Sequence, residues 1–142
     1  MPCGRDRRGG HGPGDLQLDG ATLVQPDLFV LPLIGGRRPV SPSDIGRALL
    51  VVEVLSPSTA RHDRVMKRAR YQRYGVEYWI VDLDARLVER WTPGVPRPEI
   101  LTGTLTWQAG ETAVALRTDL DALFAEALGK REPRWIDRRA LR

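Results

Sequence analysis

An α/β domain of short strands and two helices is the fold this sequence predicts, and three observations carry the prediction. Ala48 to Leu55 is a continuous apolar run broken only by Glu53, and apolar side chains on both faces mark a strand as central in its sheet. Arg61 to Tyr74 contains neither Gly nor Pro and stops at Gly75, as a helix does. Tyr78 to Val81 and Leu87 to Trp91 are strand-like runs joined by Asp82-Leu83-Asp84-Ala85, which predicts a hairpin.

The remaining elements follow in chain order. Residues 1–14 combine Gly, Arg and Pro with almost nothing to bury, which predicts a flexible basic leader. Leu16 to Asp19 and Thr22 to Val24 alternate weakly around Gly20, and Pro26-Asp27 opens a short apolar strand, Leu28 to Leu31. Pro32 to Gly46, with Gly35-Gly36 and two prolines, reads as a loop before the central strand. Ser56-Pro57-Ser58-Thr59 ends that strand and supplies helix caps. Further strands are predicted at Glu99 to Leu101, Leu105 to Trp107 and Thr112 to Leu116, and Asp119 caps a helix from Leu120 to Leu128 before Gly129. Trp79, Trp91 and Trp107 fall in predicted strands and are expected in the core rather than as platforms for stacked bases. The domain is thus expected over 15–128, with a solvated basic tail over 129–142.

At 142 residues the chain fits one domain, or part of a larger one. Its 22 Lys+Arg against 18 Asp+Glu leave a net charge of +4, nearly all from Arg, which suits a phosphate-rich partner although many soluble proteins are as basic. Cys3 is the only cysteine, so an internal disulfide and a Cys-built metal site are excluded and a reducing compartment is expected. No apolar run approaches the ~20 residues of a membrane span, and the first residues have no hydrophobic segment of a signal peptide. The expectation is a cytoplasmic protein without a membrane partner.

Glu53 is the residue that asks for chemistry. A carboxylate in an apolar strand costs several kcal/mol unless a cation or donor meets it. Strand alternation turns Glu53 to the same side as Leu55, with Val52 and Val54 on the other. If Asp27 lies on a neighbouring strand, the two carboxylates approach within a few ångströms, which like charges tolerate only around a cation or a shared proton. Mg²⁺ suits such a pair, since it takes oxygen ligands, keeps several waters and stabilises phosphoryl charge. On the helix, Asp63, Lys67 and Arg70 or Tyr71 share one face by their spacing, and Lys67 is the candidate that positions a water or phosphate.

Blander readings stand beside these. Pro-Asp is also a common turn, a lone strand Glu can be an edge charge, and Asp63 with Lys67 is also an ordinary helix ion pair. Asp63 is therefore support only, and His62 and His11 receive no role. The helix arginines Arg61, Arg64, Arg68, Arg70 and Arg73 suit phosphates, or equally a solvated face. No phosphate-binding loop, dinucleotide fingerprint, His-Glu-x-x-His or nucleophile elbow is present.

Pro26-Asp27, Val52-Glu53-Val54-Leu55-Ser56-Pro57-Ser58, Asp63, Lys67, Tyr71 and Gly75-Val76-Glu77-Tyr78-Trp79-Ile80-Val81-Asp82 together resemble the Uma-type restriction endonuclease family of the PD-(D/E)XK nuclease-like superfamily. The resemblance runs over roughly residues 15–128, ending in the Asp-Leu-x-x-Leu-Phe pattern at Asp119 to Phe124. It implies a restriction-endonuclease-like core, a mixed β-sheet flanked by helices, with metal held by Asp27 and Glu53 and by the Val54 backbone carbonyl. Much of the superfamily places a lysine two residues after the acid, where this chain has Leu55; the family pattern moves it to the next helix, onto Lys67. The implied cofactor is Mg²⁺, replaceable by Mn²⁺, and the implied partners are DNA and a second copy of the chain, as in nucleases that dimerise to cut both strands. Family members begin with a helix, a strand carrying a Tyr-Glu-Leu-Ile-Asp-Gly-like motif and a further helix; here the Gly/Arg-rich leader stands instead. The expectation is therefore an N-terminally truncated domain lacking one acidic residue of the site, with marginal stability or self-association.

Two readings result. The first is a metal-dependent DNA endonuclease that uses Asp27, Glu53 and Lys67, with Arg61, Arg64 and Arg68 as weaker nucleic-acid contacts. The alternative is a degenerate nuclease-like domain that binds nucleic acid or a protein partner without catalysis.

Overall fold

The computed structural model describes residues 16–19, 22–38, 48–55 and 62–129, the last with side chains from Val65 onward. Along the chain run β1 (Leu16–Gln17), β2 (Leu23–Val24), β3 (Leu28–Val30), β4 (Leu50–Leu55), α1 (His62–Arg73), β5 (Glu77–Asp82), β6 (Leu87–Trp91), β7 (Glu99–Leu101), β8 (Thr104–Trp107), β9 (Leu116–Asp119) and α2 (Leu120–Gly129). The leader 1–14 and the tail beyond Gly129 lie outside the described residues.

β3 to β7 form one five-stranded sheet in sequence order, flanked by the two-stranded pairs β1-β2 and β8-β9. The sheet is mixed, as the family resemblance implied: β4 and β5 are parallel, and the other neighbours are antiparallel. Parallel neighbours need a long crossover, and α1 lies in it. Two cores follow from strand alternation. Val51 and Ile80 pack with Tyr71, Val76, Leu16 and Val24 on the face shared with α1 and β1-β2. Leu50, Trp79 and Val88 pack with Leu105, Leu120 and Phe124 on the face shared with β8 and α2. β4 is buried from both sides at Leu50 and Val51, which is why its sequence is apolar at consecutive positions there, while Val54 near its end is exposed.

The end of α1 fixes where the site helix stops. Gly75, at φ 63°, donates its N–H to the Gln72 carbonyl, and Val76 donates to the Tyr71 carbonyl. This is a Schellman ending, sealed by Val76 packing with Tyr71 in one core. A left-handed residue other than Gly costs roughly 1–2 kcal/mol. Gly75→Ala is expected to lower stability by about 1 kcal/mol, read as a lower urea midpoint at unchanged slope; an unchanged midpoint would show that the ending does not need glycine.

The opposite face is joined by a polar knot around Glu77. Its Oε1 accepts the Trp79 indole N–H at 2.8 Å and its Oε2 that of Trp107 at 3.3 Å. Arg90 stands 3.6 Å from Oε1, donates to the Thr106 carbonyl at 2.6 Å and pairs with Glu99 at 3.3 Å. Trp79 and Trp107 meet edge to face at 6.3 Å, and the Arg90 guanidinium lies over Trp79. One carboxylate therefore links β5, β6 and β8.

One strand differs from expectation. The run Thr112 to Leu116 does not form a strand; β9 begins at Leu116. Ala113 donates to the Gly110 carbonyl, and the Gln108 side chain bonds the carbonyls of Glu111 and Ala113. Those bonds close a turn over residues whose alternation alone suggests a strand. Asp119 does cap α2, its Oδ1 accepting the Ala122 N–H at 3.2 Å.

Candidate active site

The site lies toward the C-terminal end of β4, between the sheet and α1. Glu53 faces α1 together with Val51 and Leu55, and only 12% of its side chain is exposed. A carboxylate so placed needs a partner, and α1 provides one. Lys67 reaches Glu53 Oε2 with its Nζ at 2.9 Å. One turn later Tyr71 lines the same cleft as Glu53. Spacing of four residues puts Lys67 and Tyr71 on one helix face, and this face looks onto Glu53.

Tyr71 is 1% exposed and stacks at a tilt against Tyr78, with ring centroids 4.7 Å apart. Burial, then the neighbouring Glu53 charge, pushes its hydroxyl well above the ordinary tyrosine range, against a smaller opposing pull from Arg70. The hydroxyl is therefore protonated at neutral pH.

Asp27 enters from β3. The pairing of Leu28 with Val52, continued by one residue, sets Asp27 opposite Glu53. Directly opposed residues of an antiparallel pair share a face. Asp27 itself is exposed, and its Oδ2 accepts the Val54 N–H at 2.8 Å. The N–H and carbonyl of one extended residue leave the strand on the same side, so the Val54 carbonyl also leaves toward Asp27.

Glu53, Lys67, Arg70 and Tyr71 line an open cleft of about 320 Å³ whose far wall is Leu23, Val24 and Gln25. That wall is pinned to α1. Asp19 accepts hydrogen bonds from the Thr22 N–H at 2.6 Å and from the Tyr74 hydroxyl, tying the β1-β2 hairpin to the end of the helix.

The arginines of α1 divide by position. Arg68 turns inward, its guanidinium 4.3 Å from the Trp91 ring centroid and its Nε buried, so it packs as a cation on an aromatic face. Arg70 lines the cleft. Arg61 and the side chains of His62, Asp63 and Arg64 lie outside the described residues, as do Cys3 and His11. Sequence reasoning brought Tyr71 onto the Lys67 face by spacing but gave it no partner. Gln25 carried no signal of its own, since only folding of the hairpin brings it to the cleft.

The donor set suits a hard divalent cation. Two carboxylates set opposite one another, with room for water beside them, match an ion that takes one or two carboxylates and keeps its remaining waters. Among the described residues no three His, Cys, Asp or Glu side chains cluster as a complete metal cage.

The mixed sheet thus sets Asp27 opposite Glu53 in register, with Lys67 on the helix that follows. The chain belongs to the Uma2 family, described as putative restriction endonucleases, whose model matches residues 7–121. Three solved chains also match. One is described as a putative nuclease belonging to DUF820 from Anabaena variabilis ATCC 29413, 19% identical with a TM-score of 0.46 over 55% of this chain. The match spans 44% of that protein's length. No curated protein matches the chain. Among the described residues no helix is long and apolar enough to cross a membrane.

Proposed function

We propose that this chain is a Mg²⁺-dependent DNA endonuclease domain that hydrolyses phosphodiester bonds in the cleft between β4 and α1. One observation carries the reading: Glu53, a largely buried carboxylate on a central strand, meets Lys67 at 2.9 Å beside an open cleft, with Asp27 opposite it in register. Burying such a carboxylate for stability alone is costly, because an apolar side chain would serve the strand better. Family membership supports the same direction.

In this reading Asp27 and Glu53 hold the metal, with the Val54 carbonyl turned toward the same side. Mg²⁺ bound there, or Mn²⁺ in its place, supplies charge stabilisation at the phosphoryl group and a more acidic water. Lys67, 2.9 Å from Glu53 Oε2 at the edge of the cleft, would orient an attacking water or hold a non-bridging phosphate oxygen. Arg70 carries positive charge along the cleft and offers paired donors for a neighbouring phosphate. The net charge of +4 favours the approach of a polyanion.

Nicking of supercoiled plasmid by the purified chain, with Mg²⁺ or Mn²⁺ and with EDTA, tests the proposal. Lys67→Ala, prepared identically, is expected to cut about a hundredfold more slowly. A second reading has its own observation, the two-acid donor set without a third described ligand. Folded wild type that binds DNA in a salt-dependent manner without metal, and never nicks it, would favour that reading of a nucleic-acid-binding domain without catalysis.

A further inference from the structure

We infer that Lys67 competes with a divalent cation for Glu53, so that the ion pair between them holds down the metal affinity of the site. The inference rests on the nuclease reading above and gives Lys67 an effect on metal binding that is separate from any work it does on a phosphate.

The two acids of the site are met by different groups. Asp27 is exposed, and its Oδ2 accepts the neutral Val54 N–H at 2.8 Å, so its negative charge stays available to a cation. Glu53 is 12% exposed, and its Oε2 accepts from the Lys67 ammonium at 2.9 Å. That distance is the ordinary length of a charge-assisted bond, and the ammonium offsets the charge that a metal would need. Arg70 brings a second cation to the same cleft. The formal charges of Asp27, Glu53, Lys67 and Arg70 therefore cancel, and a divalent ion meets little net attraction there.

Sharing the carboxylate does not remove the conflict. A carboxylate has about four lone-pair sites, so an ammonium and a metal can both find oxygen on Glu53. Two cations a few ångströms apart repel one another, and more so where protein replaces water. Either the ammonium gives up its bond or the ion binds less tightly beside it, and both lower the affinity. Lys67 is the partner able to yield. Its stem is flexible, 32% of its side chain is exposed, and it lines an open cleft. Glu53 cannot move off in the same way, because β4 is paired on both sides, with β3 and β5.

The test is a titration of Mn²⁺ alone into the full chain by calorimetry, comparing wild type, Lys67→Met and Arg70→Met. Methionine at position 67 keeps an unbranched apolar stem and removes the charge. It is expected to tighten Mn²⁺ binding about tenfold, the scale of one hydrogen bond between charged groups, and to slow plasmid nicking as Lys67→Ala does. Tighter binding with slower cutting is a split that a merely structural lysine would not produce. Arg70→Met removes the same unit of charge from the same cleft and leaves the Lys67–Glu53 pair in place; it is expected to change the affinity no more than about twofold, since exposed charges are well screened. Saturating Mn²⁺ should also raise the thermal midpoint of Lys67→Met more than that of wild type, because the ion then meets an uncompensated Glu53. If Lys67→Met does not fold, Lys67→Gln, which keeps a donor without the charge, takes its place.

Equal or weaker Mn²⁺ binding by Lys67→Met overturns the competition and leaves the nuclease reading standing. Equal tightening by Lys67→Met and Arg70→Met also overturns it, in favour of the general field of the cleft. Mn²⁺ uptake by Lys67→Met where wild type takes up none supports the competition, whereas no uptake by either removes the metal site and this inference with it. The expected affinities without nicking by wild type overturn catalysis alone.

Discussion

Glu53→Gln is expected to lower metal-dependent nicking about a thousandfold, while leaving the fold intact. The size follows from what the carboxylate does in the proposed reaction. A bound cation contributes several kcal/mol to charge stabilisation at a phosphoryl group, and each 1.4 kcal/mol is about a factor of ten in rate. Glutamine keeps the volume, but it has lost the charge that would retain a divalent ion. The stability change should be small, because Lys67 is 32% exposed and finds water when its partner is neutralised. The comparison needs wild-type and variant nicking rates across a Mn²⁺ series, with thermal midpoints to show equal folding. If the variant cut as fast as wild type at every Mn²⁺ concentration, Glu53 would not hold the metal, and the case for catalysis would rest on Asp27 alone. Loss seen only at low Mn²⁺ would instead mean that other oxygens hold the ion and that Glu53 tunes affinity.

The second large effect concerns stability and lies on the opposite face of the sheet. Glu77→Ala is expected to cost about 3 kcal/mol, because it strands three donors at once. Trp79 and Trp107 lose the acceptor of their indole N–H groups, and Arg90 loses one of its two carboxylate partners in a setting where only 16% of its side chain is exposed. Hydrogen bonds to a charged group contribute roughly 1.5–3 kcal/mol each, and removing one partner of a buried pair exposes the full desolvation penalty of the other. Residual exposure and the remaining bonds of Arg90 to Glu99 and Thr106 hold the total to that figure. For a chain of this size, the melting temperature should fall by roughly 10 °C. Glu77→Gln should lose less, since its amide oxygen still accepts one of the two indoles. A fall of under 2 °C for Glu77→Ala would mean that water enters and satisfies all three donors. Nicking by the surviving folded fraction should be unchanged, because Glu77 lies on the face away from the cleft.

These two acids show how differently the sequence displayed the carboxylate of the proposed site and a structural one. Glu53 stood out because it interrupts a run of seven apolar residues, and the rarity of an unpaired buried charge makes such an interruption informative. Glu77 opens a strand beside Gly75, where a charge is ordinary, so nothing local revealed that it joins two tryptophans and an arginine. Arg68 makes the same point in reverse. In the sequence it is one of several helix arginines with a claim on phosphate, yet its position on the helix turns it over Trp91.

The sequence by itself determined the elements and their faces. The consecutive apolar side chains of β4 fit only a strand buried on both sides, the Gly/Pro-free stretch ending at Gly75 fits only a helix, and strand alternation put Glu53 with Leu55 on the face that α1 covers. These are local consequences of backbone geometry and side-chain period, so neighbours in the chain suffice to read them. Tertiary structure alone decided which residues meet. The register of β3 on β4 set Asp27 opposite Glu53 and gave its carboxylate the Val54 N–H, and the packing of α1 brought Lys67 onto Glu53 and Tyr71 into the same cleft. The β1-β2 hairpin, pinned by Asp19 and Tyr74, supplied the far wall of the cleft. Contacts between residues 14 to 55 positions apart depend on how elements pack, which no local pattern encodes. The turn at Gly110 to Ala113 was lost to the same cause, since side-chain bonds from Gln108 outweighed an alternation that read as strand.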